Sequence, residues 1–480
     1  MPSSPMNFDR YHATMFKSAL TEHSRFGQDK VLAHKESVFY VTQRKIPYAP
    51  CVGHERLLES LVNKRLDIPR LRFLRQEKAD LSLVADNLDS SESPFNIRAV
   101  RPGTIIFAGE PFADIKGPFG LTQMMEVKFE HAFDEPITVA GNAMGIRLEA
   151  GDRHLSDFSL RRDGCLESAL DVAKYSYIGG FDDTSNMEAA FMLDINAVGT
   201  MAHCWIQAYY DLAFKIFTEE QRGKQKHFEQ IAFERFLDAN PKGTTLLLDT
   251  INLRLGLIHA IRAAKSSEAR KSALKFVRID SGNLIAGAEW TRSMLDINGL
   301  EDVNIILTSD LDKQSIREIV KHCPFISGFG IGTKLKAETT IAGVIYKLCS
   351  VEKRATLKCS ETKGKETIPG VVQVWRCVDE DGFYIKDIIS MLEEAAPRGN
   401  FKQAVPILER FYENGRHMVM PSPEKQKKFV HEQLHLFKNI DEYPVELSDS
   451  LKISKENISK KMRHDEIGEE GVVMIDYPKQ

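Results

Sequence analysis

No C-x-x-C pair occurs in this chain, and its seven cysteines are scattered and odd in number. That excludes a zinc ribbon and offers no disulfide framework, so the expectation is reduced thiols in a cytoplasmic protein. No run of 18 apolar residues occurs, which excludes a membrane-spanning helix. The opening stretch Met1 to Asp9 has no basic region followed by an apolar one, so no secretory signal is expected there. An excess of one charge sign is also missing. The balance of 64 basic against 68 acidic residues leaves a net charge of −4, which argues against a broad cationic surface for nucleic acid. No G-x-G-x-x-G opens a helix after a first strand, and there is no internal repeat. What is present is a chain of 480 residues, 42% hydrophobic, enough for substantial cores and for two or three domains.

The first part reads as mixed. Ser37 to Thr42 looks extended and Glu55 to Asn63 helical, and Leu88 to Pro94 is a polar loop. Short apolar runs at Ile97 to Val100, Ile105 to Phe107 and Phe112 to Ile115, punctuated by Gly and Pro, suggest a small β-rich module. From about residue 125 the texture changes. Apolar runs at 177–181, 195–198, 245–248, 276–279, 304–307 and 325–329 each end in small, polar or charged residues, with helical patterns such as Leu311 to Lys321 between them. Buried parallel strands with chemistry at their C-terminal tips favour an α/β barrel, an irregular one, over an open doubly wound sheet.

The tips supply hydroxyls, glycine amides, cations and carboxylates, and few large apolar groups. Hydroxyls and amides suit phosphate oxygens; carboxylates suit ribose hydroxyls or Mg²⁺. That inventory fits a phosphorylated sugar. Gly330-Ile-Gly332-Thr333 lets backbone amides approach a phosphate; a plain strand-to-helix turn is the alternative. Alternation turns Arg278 and Asp280 to one side of their strand, as a working pair or a structural ion pair. His203, at a tip, is suited to acid–base work or to accepting a phosphoryl group, or is simply a hydrogen-bonded histidine. His431-Glu-Gln-Leu-His435 spells H-E-x-x-H, but no third-ligand continuation follows, and Phe429, Leu434 and Phe437 give that helix a buried stripe; a zinc peptidase is set aside.

Taken in order, Phe158-Ser-Leu-Arg-Arg162, Gly179-Gly-Phe181 with Thr184-Ser-Asn186, Gly199-Thr-Met-Ala-His203, Arg278-Ile-Asp-Ser-Gly282, Phe329-Gly-Ile-Gly-Thr333 and Lys365-Glu-Thr-Ile-Pro-Gly370 resemble the motif series of the nicotinate phosphoribosyltransferase family. The resemblance runs from Phe8-Asp-Arg-Tyr11 to Tyr443-Pro-Val-Glu-Leu-Ser448. It implies an irregular α/β barrel of the type II phosphoribosyltransferase kind, joined to an α/β-sandwich domain built from both ends of the chain. The expected division is 1–140 sandwich, 141–350 barrel and 351–480 returning to the N-terminal unit.

The implied reaction, in NAD salvage, joins nicotinate to 5-phosphoribosyl 1-diphosphate and gives nicotinate mononucleotide and diphosphate. ATP is a co-substrate and Mg²⁺ a cofactor, the metal ligands being left open. A cytoplasmic homodimer with shared active sites is implied. By similarity, Tyr11 stacks on nicotinate from the partner subunit and Phe158 closes the other face; Thr200 and Arg278 contact nicotinate. Gly330, Gly332 and Thr333 match the phosphate cradle, Arg161 faces the diphosphate, Asp280 the ribose, and His203 is the histidine that ATP phosphorylates. Ser185 stands where nicotinamide-using relatives carry an aspartate, so a carboxylate substrate is favoured. Departures from the family pattern are Ser159, Asp183, Cys204, Ile251-Asn252-Leu253, Asn283 and Val372. Asp183 adds a charge near the site, and with the Asn252 departure it motivates one alternative, a catalytically silent homologue that senses a nucleotide or scaffolds a partner; a nicotinamide-using enzyme is a separate alternative.

Overall fold

The computed structural model describes residues 4, 6–21, 31–62, 67–76, 94–216, 226–336, 340–360 and 366–463. The Leu88 to Pro94 loop, except its last residue, and Lys365 lie outside the described residues. Among those described, no helix is long and apolar enough to cross a membrane.

The architecture is mixed α/β, built around a parallel sheet. Six parallel strands lie in the order Asp183–Thr184, His154–Asp157, Gly328–Ile331, Asn304–Leu307, Leu274–Ile279, Thr244–Leu247. Their apolar positions, Leu246, Val277, Ile279, Ile305, Leu307 and Ile331 among them, are fully buried, as strands covered by helices require. Helices Leu253–Lys265, Leu284–Ile297 and Lys313–His322 return the chain between strands. Each begins at a side-chain cap: Asn252, Asn283 and Asp312 accept a backbone N–H of the first turn. The sheet's two edges are drawn together by the segment after Asp194. Ala197 bridges in parallel to Thr184, and Thr200 Oγ1 donates to the Thr245 carbonyl at 2.6 Å. The result is an irregular barrel.

Two of the six apolar runs are not strands. Tyr177 and Ile178 end the helix Leu166–Ile178, and 195–198 contributes only the single bridge at Ala197. The strand His154–Asp157 escaped the sequence reading because its four residues include one apolar side chain, Leu155. It is nonetheless central, paired on both sides.

A second body draws on both ends of the chain. Its seven-stranded antiparallel sheet orders Arg354–Ala355, Val344–Val351, Glu36–Gln43, Pro111–Pro118, Asn96–Ala99, Glu409–Glu413 and Arg416–His417. A four-stranded sheet (403–406, 372–378, 384–391, 445–447) stands beside it. The long helix Glu126–Ala150 packs on both bodies: Phe129, Phe133 and Ile137 enter the core under the seven-stranded sheet, while Ala140, Met144 and Ile146 enter the barrel core. Arg376 and Asp387, both buried, form a two-point ion pair at 2.7 and 3.1 Å, and Tyr443 donates to Asp387 at 2.8 Å.

Candidate active site

The C-terminal ends of the barrel strands gather most of the expected residues. Arg278 lies inside the strand Leu274–Ile279, and Asp280 follows its last residue. Thr308, at the tip of the next strand, donates its hydroxyl to Asp280, fixing the carboxylate. Ser309 then holds φ +115°, a conformation that costs about 1–3 kcal/mol for a residue with a side chain and is concentrated at functional sites. On the other flank, Asp249 accepts from the Asp280 amide at 3.3 Å and from the Ser281 hydroxyl. Its Oδ1 is buried without a partner among the described residues.

His203 is not on a strand tip; it opens the helix His203–Ile216. Its Nδ1 lies 3.0 Å from the Thr250 hydroxyl, and its Nε2 lies 4.0 Å from Asp280 Oδ2. The ring is 41% exposed, so Nε2 is reachable from the mouth. Arg278 reaches the Met201 carbonyl at 3.5 Å, close to Thr200, and its Nε is buried and unpartnered among the described residues. Burial holds the Arg278 pKa below its usual value, against Asp280 and Asp249, which raise it; Arg161 lowers it further. A half-satisfied, largely desolvated guanidinium is poised for a carboxylate. Arg161 itself is exposed on the short turn Leu160–Arg162, close enough for its charge to reach Arg278.

Opposite, the strand pair His154–Asp157 and Gly328–Ile331 sets the other wall. Phe158 continues the first and lies over Gly330 of the second. A Cβ at Gly330 would stand 2.6 Å from Phe158 Cδ2 and 2.7 Å from Thr308 Cγ2. Glycine is therefore required there by the ring, a reason distinct from approach to a phosphate. Gly332 and Thr333 follow, with Thr333 opening a short 3-10 turn. Asn142 of the long helix donates to the carbonyls of Lys334 and Leu335 at 2.5 and 3.0 Å, holding that turn from behind. Ser185 is half-buried, one residue past the Asp157–Thr184 pair, and its amide donates to the Asp157 carbonyl at 2.9 Å.

Asp183 does not charge the mouth as its sequence position suggested. Its buried carboxylate turns to His154 Nε2 at 2.5 Å, and that hydrogen bond raises the His154 pKa against the effect of burial.

Tyr11 is the one expected residue that the single chain does not bring to this mouth. It sits in the helix Arg10–Thr21, donates to Glu126 at 2.6 Å and is 47% exposed. Glu126 precedes Asn142 by sixteen residues on the same helix, roughly 24 Å along its axis. Asp249, Thr250 and Thr308 carried no role in the sequence reading. Their signal was present, a carboxylate or hydroxyl directly after a buried apolar run, but only the barrel's closure made them neighbours of His203 and Asp280.

His431 and His435 face each other on the helix Pro423–Leu434 and its C-cap, with Nε2 atoms 3.1 Å apart. No third His, Cys, Asp or Glu joins them in a metal-holding group among the described residues.

The model of the nicotinate phosphoribosyltransferase (NAPRTase) family matches residues 153–377, the segment that contains every strand-tip residue above. A nicotinate phosphoribosyltransferase of Mycobacterium tuberculosis is 31% identical over 398 residues, covering 81% of this chain and 79% of its own. That of Bacillus subtilis is 27% identical over 452 residues, covering 86% and 88%. In fold, the chain is similar to the crystal structure of human nicotinic acid phosphoribosyltransferase, with a TM-score of 0.74 at 22% identity over 94% of this chain and all of that one. It is also similar to a nicotinate-nucleotide pyrophosphorylase from Pyrococcus furiosus, with a TM-score of 0.69 at 22% identity over 91% of this chain and 96% of that one. Strand-tip motifs, barrel and relatives agree: the chain belongs to the nicotinate phosphoribosyltransferase family.

Proposed function

We propose that this protein is a cytoplasmic nicotinate phosphoribosyltransferase of NAD biosynthesis, joining nicotinate to 5-phosphoribosyl 1-diphosphate with ATP hydrolysis coupled through His203. The observation that carries the reading is the convergence of His203, Thr250, Asp280, Arg278 and Thr308 at one barrel mouth. Attack of the pyridine nitrogen on the ribose anomeric carbon breaks its bond to the diphosphate and builds positive charge on the ring. Catalysis then consists of holding the sugar phosphate, steadying the leaving group and aligning the base.

Each residue has a share in that work. Arg278 offsets the nicotinate carboxylate, and Thr200 lies beside it. Phe158 covers one face of the flat ring. Ser185 leaves room for an acid where an aspartate would repel it. Gly330, Gly332 and Thr333 receive the 5-phosphate, Arg161 meets the diphosphate, and Asp280 accepts from the ribose hydroxyls. Asp249, with its unpartnered Oδ1, and Asp280 have the oxygen donors that Mg²⁺ prefers. When bound, that ion would neutralise diphosphate charge.

His203 attacks the γ-phosphorus of ATP through Nε2, ADP leaves, and water later releases phosphate from the ring; Thr250 fixes the imidazole through Nδ1. Leu166, soon after Arg161 in the chain, and Met187, Phe191 and Met192, soon after Ser185, expose apolar surface, Phe191 to 82%, which favours a homodimer that covers them and brings the partner's Tyr11 ring to the second face of nicotinate. The turn of Asp183 to His154 and the use of Asn252 as the cap of the helix Leu253–Lys265 both speak against a silent sensor. The test is a product assay with nicotinate, nicotinamide and quinolinate, each with and without ATP. Nicotinate mononucleotide should form from nicotinate and be stimulated by ATP. Preference for either other base, or tight nucleotide binding without turnover, defeats the reading.

A further inference from the structure

Away from the barrel mouth, a small group of side chains has no part in that chemistry. The helix Phe228–Ala239 is capped by His227 and carries Glu229 in its first turn; the helix Leu253–Lys265 carries His259. His259 Nδ1 lies 2.7 Å from Glu229 Oε2, and the His227 and His259 rings stack with centroids 4.1 Å apart. One donor atom from each of the three residues lies within 4.8 Å of the others.

The group is built rather than incidental. The Glu229 side chain is 0% exposed and that of His259 5%. Although one Glu229 oxygen meets His259, the other, Oε1, is buried with no partner among the described residues. Leaving a carboxylate oxygen dry and unpaired costs about 1–3 kcal/mol or more. His227 Nδ1 faces the Glu229 amide at 3.3 Å as an acceptor, so its imidazole is neutral there. Imidazole nitrogens and carboxylate oxygens are the donors a borderline-soft divalent ion such as zinc takes.

We propose that His227, Glu229 and His259 form a binding site for one divalent transition-metal ion, zinc by the donor set. Two nitrogens and one oxygen make a three-ligand zinc shell, and the half-exposed side of His227 leaves the fourth position to water. Donors about 2.1 Å from a tetrahedral ion sit roughly 3.4 Å apart, so on binding the hydrogen-bonded His259–Glu229 pair, now at 2.7 Å, would open, while any donors near the 4.8 Å limit of the group would draw in. The ion would staple the two helices that flank the strand Thr244–Leu247. That strand leads directly into Asp249 and Thr250, and the helix Phe228–Ala239 also packs against Trp205, whose Nε1 donates to the Ala232 carbonyl at 3.1 Å. The site would therefore stiffen the support of His203 without touching substrate.

The test uses full-length protein stripped with chelator and titrated first with Co²⁺, then with Zn²⁺. One Co²⁺ per chain should bind with the strong visible absorption of a tetrahedral ion, and Zn²⁺ should bleach it. Substitutions His227→Ala and Glu229→Gln should each weaken binding at least about tenfold. The His203→Ala and His431→Ala/His435→Ala proteins should bind as the parent does. Zinc should raise the melting temperature of the parent and leave that of His227→Ala unchanged. Because His227 is half-exposed, its alanine variant is a fair comparison even if Glu229→Gln folds poorly. Absence of a stoichiometric ion, unchanged affinity in His227→Ala, or loss of the ion in the His203 or His431/His435 variants would overturn the proposal. None of these readouts depends on turnover.

Discussion

Gly330→Ala isolates one physical claim, that the ring of Phe158 and not only a ligand dictates glycine at this tip. The new methyl would stand 2.6 Å from Phe158 Cδ2 and 2.7 Å from the Thr308 methyl, about 1 Å inside ordinary carbon–carbon contact. Gly330 is buried within a central strand flanked by two others, so the backbone has little freedom to retreat. Overpacking of this kind costs about 1–3 kcal/mol. At about 2 cal/mol/K per residue of unfolding entropy, that lowers the melting temperature of a unit of roughly 250 residues by about 2–6 °C. The easiest relief is displacement of the phenyl ring, and Thr308 carries the hydroxyl that fixes Asp280.

Calorimetry and steady-state kinetics should therefore move together. Stability falls, the KM for nicotinate rises through the displaced ring, and kcat falls less. The double variant Phe158→Ala/Gly330→Ala should recover part of the stability lost in Gly330→Ala, a coupling of about 0.5–3 kcal/mol between touching residues. If Gly330→Ala melts like the parent, or the two substitutions are strictly additive, the claim fails.

Gly256→Ala should be far more damaging, because its Cβ would run into the Leu248 backbone, 2.6 Å from the carbonyl carbon, and backbone cannot swing aside. Insoluble or strongly destabilised protein in chemical denaturation is the expectation, and a stable folded variant refutes it. Arg278→Ala should raise the KM for nicotinate more than that for 5-phosphoribosyl 1-diphosphate; equal effects in steady-state kinetics count against its contact with the base. The His154–Asp183 pair raises the histidine pKa, so its stabilisation is complete below the unfolded value near 6.5 and is lost as pH rises through the folded value. Because His154 is half-exposed, the gap in unfolding free energy between parent and His154→Gln should be about 1 kcal/mol or less at pH 6 and should shrink by pH 8.5; a gap that widens with pH reverses the argument. Mixed Tyr11→Ala and His203→Ala subunits should regain partial activity in verified heterodimers, and no recovery argues against a shared site.

Much of this was legible in the residue order. Runs such as Asn304 to Leu307, apolar and then abruptly polar, identify buried parallel strands by the chemistry of their ends, because a strand covered on both faces has nowhere to place a polar group except its tips. The six ordered motifs carried the resemblance to the family. His154–Asp157 shows the limit of that reading: one apolar side chain in four gives no periodic signal, and its place in the centre of the sheet is fixed by partners on both sides. Asp183 is similar. Along the chain it is a charge beside the site, and only the direction of its side chain, toward His154, takes that charge away from the mouth. The sequence by itself determined the reactive groups and four of the six barrel strands, at 244–247, 274–279, 304–307 and 328–331, since these depend on local pattern. The tertiary structure alone decided which groups meet, such as Asp249, Thr250 and Thr308 around His203 and Asp280, and Glu229 with His259. Contacts between residues tens of positions apart are set by how the barrel closes and its helices pack, and no local pattern encodes that closure.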